Sequence, residues 1–322
     1  MNFITPKGTY VKSNNSVSKI NRNYLYTLIF FTIYLLIYNL ILKDTITILN
    51  ILKTLLGTTL CSIATDCFFG YVKNNKSKIT STTISIALII TIFNYNEKIM
   101  ISIIATLISI IAKYIYKNIS LSCTLYGIIA IYLYRYYQND FAYPIDDILT
   151  IKNLINNQGF ITVLFNNIYI TPIVSLLVFF YLFYKKSIKY NIYFSYILTY
   201  LIIILLSGLL NHQDIYYFIS SVISSNIFFF SIYLLPDYGI TPEISRGQIL
   251  YGIILGIITS ILTCFIPNIA IIITLIIGPI IFTKYLDNLS IKLKYNEKYY
   301  MNTIYICISL VVVTIIMLKL FK

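Results

Sequence analysis

The run Leu235-Pro236-Asp237-Tyr238-Gly239-Ile240-Thr241-Pro242-Glu243-Ile244-Ser245-Arg246-Gly247-Gln248 carries the densest functional chemistry in this chain. It is polar, broken by Pro and Gly, and wedged between two long apolar segments near 215–235 and 249–266. Asp237, Thr241 and Arg246 bring a carboxylate, a hydroxyl and a guanidinium into one short loop. Pro242 fixes a turn and Gly247 lets the backbone approach a neighbour closely. Asp237 and Arg246 can therefore pair with each other or hold a polar ligand. A second candidate is Asp66, placed with Thr65 near one end of an apolar segment. A charge in hydrocarbon is costly and faces a partner or a cavity unless it reaches interfacial water. Ser81, Thr82, Thr83 and Ser85 open the next apolar segment, and Gly208, Ser220, Ser221, Ser224, Ser225 and Asn226 give later ones a small, polar surface. Such residues serve close helix packing first and a hydrophilic path or cofactor crevice second.

Other chemistries are missing. Cys61, Cys67, Cys123, Cys264 and Cys307 fall in or near apolar segments without a C-x-x-C pair, which reads as small buried hydrophobes and no metal site. His212 is the only histidine. No Walker loop, dinucleotide fingerprint or hydrolytic triad occurs.

The elements that must position these residues are membrane helices. The chain is 58% hydrophobic and 11% charged, with a mean hydropathy of +0.82. A soluble domain of 322 residues could not cover its surface with so few polar groups. A span takes about 20 apolar residues, and runs of that kind lie near 24–42, 46–72, 79–93, 99–116, 119–137, 166–184, 190–208, 215–235, 249–266, 268–286 and 303–320. The expected fold is an all-α polytopic membrane protein with about 10–11 transmembrane helices. The second run is long and contains Thr58, Thr59, Ser62, Thr65 and Asp66, so a break or tilt is expected there.

Lys7, Lys12, Lys19, Arg22, Lys73, Lys76, Lys78, Lys113, Lys117, Lys185, Lys186, Lys189, Arg246, Lys284, Lys292, Lys294 and Lys298 all fall on one side if the spans alternate. The positive-inside rule makes that side cytoplasmic, with the N-terminus inside, in the cytoplasmic (inner) membrane. The net charge of +13 is thus a topology signal and does not indicate nucleic-acid binding. The first 23 residues lack an h-region, so no cleavable signal peptide is expected. The organisation that follows is a cytoplasmic segment 1–23, a first five-helix half 24–137, an extracytoplasmic connection 138–165, a second half 166–286, and a linker with an extra helix over 287–322. Five spans on each side of the connection are compatible with two five-helix repeats, a transporter plan with sites at the repeat interface. The connection holds Asp140, Asp146 and Asp147 against Lys152 and is the most acidic exposed segment. Within it, Thr150 can cap a helix starting at Ile151-Lys152-Asn153-Leu154.

Asp237, Thr241, Pro242, Arg246, Gly247 and Gln248, followed by Ile249-Leu250-Tyr251-Gly252, resemble the D-x-x-(x)-S/T-P-x-x-x-R-G-Q element of the RnfD component of the Rnf electron-transport complex. The NqrB component of the sodium-pumping NADH:quinone reductase is in the same superfamily. The basic lead Tyr10-Val11-Lys12-Ser13 through Arg22, the segment Thr82-Thr83-Ile84-Ser85-Ile86-Ala87-Leu88 and the pair Asn118-Ile119 are similar to further family elements, mainly in spacing and hydropathy. The resemblance implies a scaffold like that of the ammonium and urea channels and a place in a multi-subunit membrane complex. It also implies flavin mononucleotide (FMN) on a Thr of a D-x-x-S/T-G-A-T motif. Asp146-Asp147-Ile148-Leu149-Thr150 stands at that place, with Thr150 as the attachment point, Asp146 and Asp147 beside it, and Ile148-Leu149 in place of Gly-Ala. Riboflavin, held noncovalently, is a further cofactor candidate.

The function expected from this resemblance is a membrane subunit of an Rnf-like ion-translocating oxidoreductase that relays electrons through flavin, coupled to Na⁺ or H⁺ movement. The alternatives are a flavin-free homologue acting as a transporter or channel, and a structural scaffold for other redox subunits.

Overall fold

The computed structural model describes residues 17–72, 80–95, 98–116, 121–138, 152–153, 156, 171–210, 215–224, 226–237, 241–265, 270, 272–275 and 286. Every described element is helical. The helices are α1 (Val17–Ile41), α2 (Thr45–Val72), α3 (Ser81–Asn94), α4 (Ile99–Tyr116), a 3₁₀ turn (Leu121–Cys123) leading into α5 (Thr124–Tyr137), α6 (Pro172–Tyr184), α7 (Tyr190–Leu210), α8 (Ile215–Ser224), α9 (Ile227–Tyr233) and α10 (Ser245–Phe265). Among the described residues, five segments are long and apolar enough to cross a membrane: Val17–Ile41, Thr45–Val72, Tyr190–Leu209, Tyr216–Tyr233 and Ser245–Thr263. Ser81–Asn94, Ile99–Ile115 and Pro172–Tyr184 are shorter apolar helices. The architecture is that of an all-α polytopic membrane protein.

The structure adds three details to the expected spans. Lys19 and Arg22 lie within α1. The second run has no break: it is one helix of 28 residues, about 42 Å at 1.5 Å per residue, longer than the hydrocarbon core of about 30 Å, which fits the tilt expected as the alternative. Its hydroxyls stay compatible with the helix by bonding back to the preceding turn: Thr54 to Asn50 O, Thr58 to Thr54 O, Thr59 to Leu55 O and Thr65 to Cys61 O, all at 2.7–2.8 Å. The eighth run, continuous in hydropathy, is interrupted between α8 and α9, where Asn226 takes the left-handed conformation with φ 51°.

Burial explains why short helices suffice in places. Twelve of the fourteen α3 residues are buried, because α1, α2, α4 and α5 surround the helix on the protein side. The same holds for α9, with six of seven residues buried. A helix enclosed by protein need not match the bilayer thickness. On α2, by contrast, Leu49, Leu52, Leu56 and Leu60 form an exposed stripe at helical spacing, as a lipid-facing surface requires.

The two sets of helices meet through aromatic contacts. The Phe93 ring on α3 lies 5.8 Å from Phe230 on α9, Phe31 on α1 lies 5.6 Å edge-on from Phe229, and Tyr24 lies 5.9 Å from Tyr233. The Tyr233 hydroxyl donates to Thr27 Oγ1 at 3.1 Å. The most extensive helix seam joins α7 to α10. Lipid tails are as apolar as the side chains, so association there depends on close backbone approach. Gly252 and Gly256, one turn apart, supply it. A Cβ on Gly252 would fall onto the Ser195 hydroxyl and within 2.8 Å of Ile192 O, and one on Gly256 onto the Thr199 hydroxyl. Gly247, expected to allow such an approach, precedes both on the same helix.

Candidate functional site

Residues on either side of the turn after α9 fasten it to the start of α5 and to the α6–α7 connection. The turn at 234–236 follows α9, and Leu234 N and Leu235 N both donate to Phe230 O. Asp237 then leaves its carboxylate facing the 3₁₀ turn ahead of α5, where Oδ2 accepts Ser122 N–H at 2.9 Å. The first N–H groups of a helix have no partner within it, and a carboxylate there also opposes the positive end of the helix dipole. Thr241 closes the loop by donating to Asp237 O at 2.7 Å.

The connection between α6 and α7 holds the other side. Lys189 Nζ donates to Thr241 Oγ1 at 2.7 Å, Pro242 O at 3.2 Å and Thr241 O at 3.3 Å. Gln248 Nε2 donates to Pro242 O and Glu243 O at 3.2 and 3.1 Å, and its Oε1 accepts from Asn191 Nδ2 at 3.3 Å. Thr241, Pro242, Gly247 and Gln248 are buried, whereas Arg246 is exposed. The motif residues therefore divide: Asp237, Thr241 and Gln248 order the loop from within, and Arg246 is presented at the surface. Sequence reading does not find Ser122, Lys189 and Asn191 as partners. In the sequence, Lys189 reads only as a topology charge.

A second polar cluster lies between α2, α3 and α4. Asp66 is 3% exposed, which overrides the reading that interfacial water solvates it. Lys113 Nζ sits 3.2 Å from Asp66 Oδ1 and also donates to Thr80 Oγ1 and Thr83 Oγ1, both at 3.0 Å. Tyr114 O–H donates to Asp66 Oδ1 at 2.6 Å, and Thr83 O–H to Oδ2 at 3.0 Å. The hydroxyls at the start of the third apolar run thus solvate a buried ion pair. Asp66 is legible in the sequence as an intramembrane charge; its partner reads there as a charge ending the fourth span.

The flavin candidates Thr150, Asp146 and Asp147 lie outside the described residues. Just beyond them, Lys152 Nζ stands 5.7 Å from the Tyr216 ring centroid at the start of α8. Among the described residues there is no group of three or more His, Cys, Asp or Glu side chains that could hold a metal ion. Cys61, Cys67 and Cys123 form no disulfide among the described residues.

A bundle of apolar helices with a buried ion pair and a fastened polar turn defines a multi-pass membrane protein. Residues 4–281 match the NQR2, RnfD, RnfE family, and the chain belongs to it. It is accordingly a membrane subunit of a multi-subunit, Na⁺- or H⁺-translocating redox complex. A direct comparison with curated protein sequences finds no match.

Proposed function

We propose that the chain is the RnfD-type subunit of an Rnf-like ion-translocating oxidoreductase, set in the cytoplasmic membrane with its N-terminus in the cytoplasm. The family match over residues 4–281 is the observation that carries this reading. The fastened turn supports it, because Arg246 is exposed on an element whose other motif residues are fixed internally. An exposed guanidinium beside a buried, hydrogen-bonded Thr241 and Gln248 suits contact with a neighbouring subunit. The Asp66–Lys113 pair is the ionisable element inside the bundle on which ion movement would act, since charges within spans mark ion and proton pathways.

In this reading Thr150 carries FMN through its hydroxyl, with Asp146 and Asp147 beside it. The bound flavin would supply the electron-carrying chemistry, and the protein its position and electrostatics. In-gel flavin fluorescence of the chain, co-expressed with its host's flavin transferase, tests this directly. Fluorescence in the parent and none in Thr150→Ala is the expected result. A dark band from folded parent protein would remove the covalent flavin and favour the scaffold or transporter alternative.

A further inference from the structure

Between α1 and α6 the surface is indented by an apolar groove of about 440 Å³, lined by Tyr26, Thr27, Phe30, Leu177, Val178 and Tyr181. Thr27 and Val178 are buried and form its floor, whereas Tyr26, Phe30, Leu177 and Tyr181 are exposed. The Thr27 hydroxyl is engaged, donating to Tyr24 O and accepting from Tyr233. The groove therefore suits an apolar chain.

One end of the groove is basic. On α1, Lys19, Arg22, Tyr26 and Phe30 follow one another at spacings of three and four and are all exposed, so they share one helix face. On α6, Leu177 and Tyr181 lead at the same spacing to Lys185, whose Nζ stands 5.9 Å from the Tyr181 ring centroid. Asn23 Nδ2 donates to Ser187 Oγ at 2.6 Å, which pins the first turns of α1 beside the end of α6. Lys19, Arg22 and Lys185 are thus brought to the same end of the groove.

We propose that this groove is a binding site for an anionic phospholipid. One acyl chain lies along Phe30, Leu177 and Val178, and the phosphate group meets Lys19, Arg22 and Lys185 below the two tyrosines. Charge complementarity selects the ligand: a zwitterionic headgroup brings its own ammonium to a site already lined by cations. This inference does not depend on the flavin reading, because it concerns neither Thr150 nor electron transfer.

The test is native mass spectrometry of the full chain in neutral detergent, titrated separately with phosphatidylglycerol and phosphatidylcholine. The parent is expected to retain one phosphatidylglycerol at concentrations where phosphatidylcholine is lost. A basic residue near an anionic headgroup is worth about a fivefold change in affinity, so Lys19→Gln/Arg22→Gln/Lys185→Gln should weaken retention by at least about that factor. Leu177→Trp fills the groove with the charges intact and should also lose the lipid. Equal retention of the two lipids, or parent-like retention in either variant, would overturn the proposal. So would complete displacement of the lipid by millimolar inorganic phosphate, which would reduce the site to a phosphate contact. Matching circular-dichroism melts of parent and Leu177→Trp keep a binding loss separate from misfolding.

Discussion

Lys113 Nζ and Asp66 Oδ1 stand 3.2 Å apart inside the bundle, and both ions are further solvated by protein hydroxyls. Thr80 and Thr83 take two Lys113 donors, and Tyr114 and Thr83 fill acceptor positions on the carboxylate. Taking two charges out of water is expensive, and their attraction offsets that cost only when such hydrogen bonds complete the site. Removing one partner strands the other. Asp66→Asn and Lys113→Met should each cost about 3–5 kcal/mol. The double variant should cost much less than their sum, because no lone charge remains. Thermal unfolding of the four proteins in one detergent measures the coupling, and strict additivity would show that the pair does not act as a unit.

Hydropathy locates the helices well because a span needs a long apolar run whatever its neighbours are. It does not show which helix is enclosed. The Ser and Thr content of α3 becomes intelligible only through Asp66 and Lys113, 47 residues apart, and its shortness only through the four helices that enclose it. Nor does it reveal the interruption at Asn226, since the flanking Ile223 and Ile227–Phe230 keep the apolar average high. The loop at 237–248 is legible from its composition and motif. Its fastening is not, because Ser122 lies 115 residues from Asp237 and Lys189 lies 52 from Thr241. Those pairings are properties of the tertiary fold, and one sequence carries no local trace of them.

The α7–α10 seam gives two glycines with different sensitivities. At Gly256 the closest obstruction to a Cβ is the Thr199 hydroxyl, with Thr199 Cβ and Tyr196 O at 3.0 Å. At Gly252 the backbone stands closer, with Ile192 O at 2.8 Å and Tyr196 N at 3.0 Å. Overpacking costs about 1–3 kcal/mol, and both Gly→Ala changes should fall in that range. Thr199→Ala should recover part of the loss in Gly256→Ala, whereas Ser195→Ala should recover little in Gly252→Ala. Melting temperatures of the singles and doubles decide this; equal rescue at both sites would mean that the helices move apart at little cost.

The fastened turn separates stability from assembly. Lys189→Met removes three donor contacts to Thr241 and Pro242, and a charged hydrogen bond contributes about 1.5–3 kcal/mol. Asp237→Ala takes the acceptor from Ser122 N–H and should cost about as much. Arg246 is exposed, and exposed ionic contacts are worth about 1 kcal/mol or less, so Arg246→Gln should cost no more than that. If the loop contacts a neighbouring subunit, Arg246→Gln should still reduce the amount of partner recovered when the tagged chain is pulled from solubilised membranes. Normal recovery with Arg246→Gln would place the subunit contact elsewhere.

The break between α8 and α9 depends on one residue in a conformation that most side chains avoid. Asn226 has φ 51°, and its carbonyl accepts the first α9 amides, Phe229 N–H at 3.1 Å and Phe230 N–H at 3.2 Å. Asn tolerates this region and Gly occupies it without strain, but a β-branched residue does not. Asn226→Gly should therefore be close to neutral, and Asn226→Val should cost about 1–2 kcal/mol. The larger loss would be felt at Phe229, Phe230 and Tyr233, which α9 directs against Phe31, Phe93 and Tyr24. Unfolding midpoints for the two variants give the comparison. If Gly proves as harmful as Val, the Asn226 amide itself, and not the backbone angle, holds the break in place.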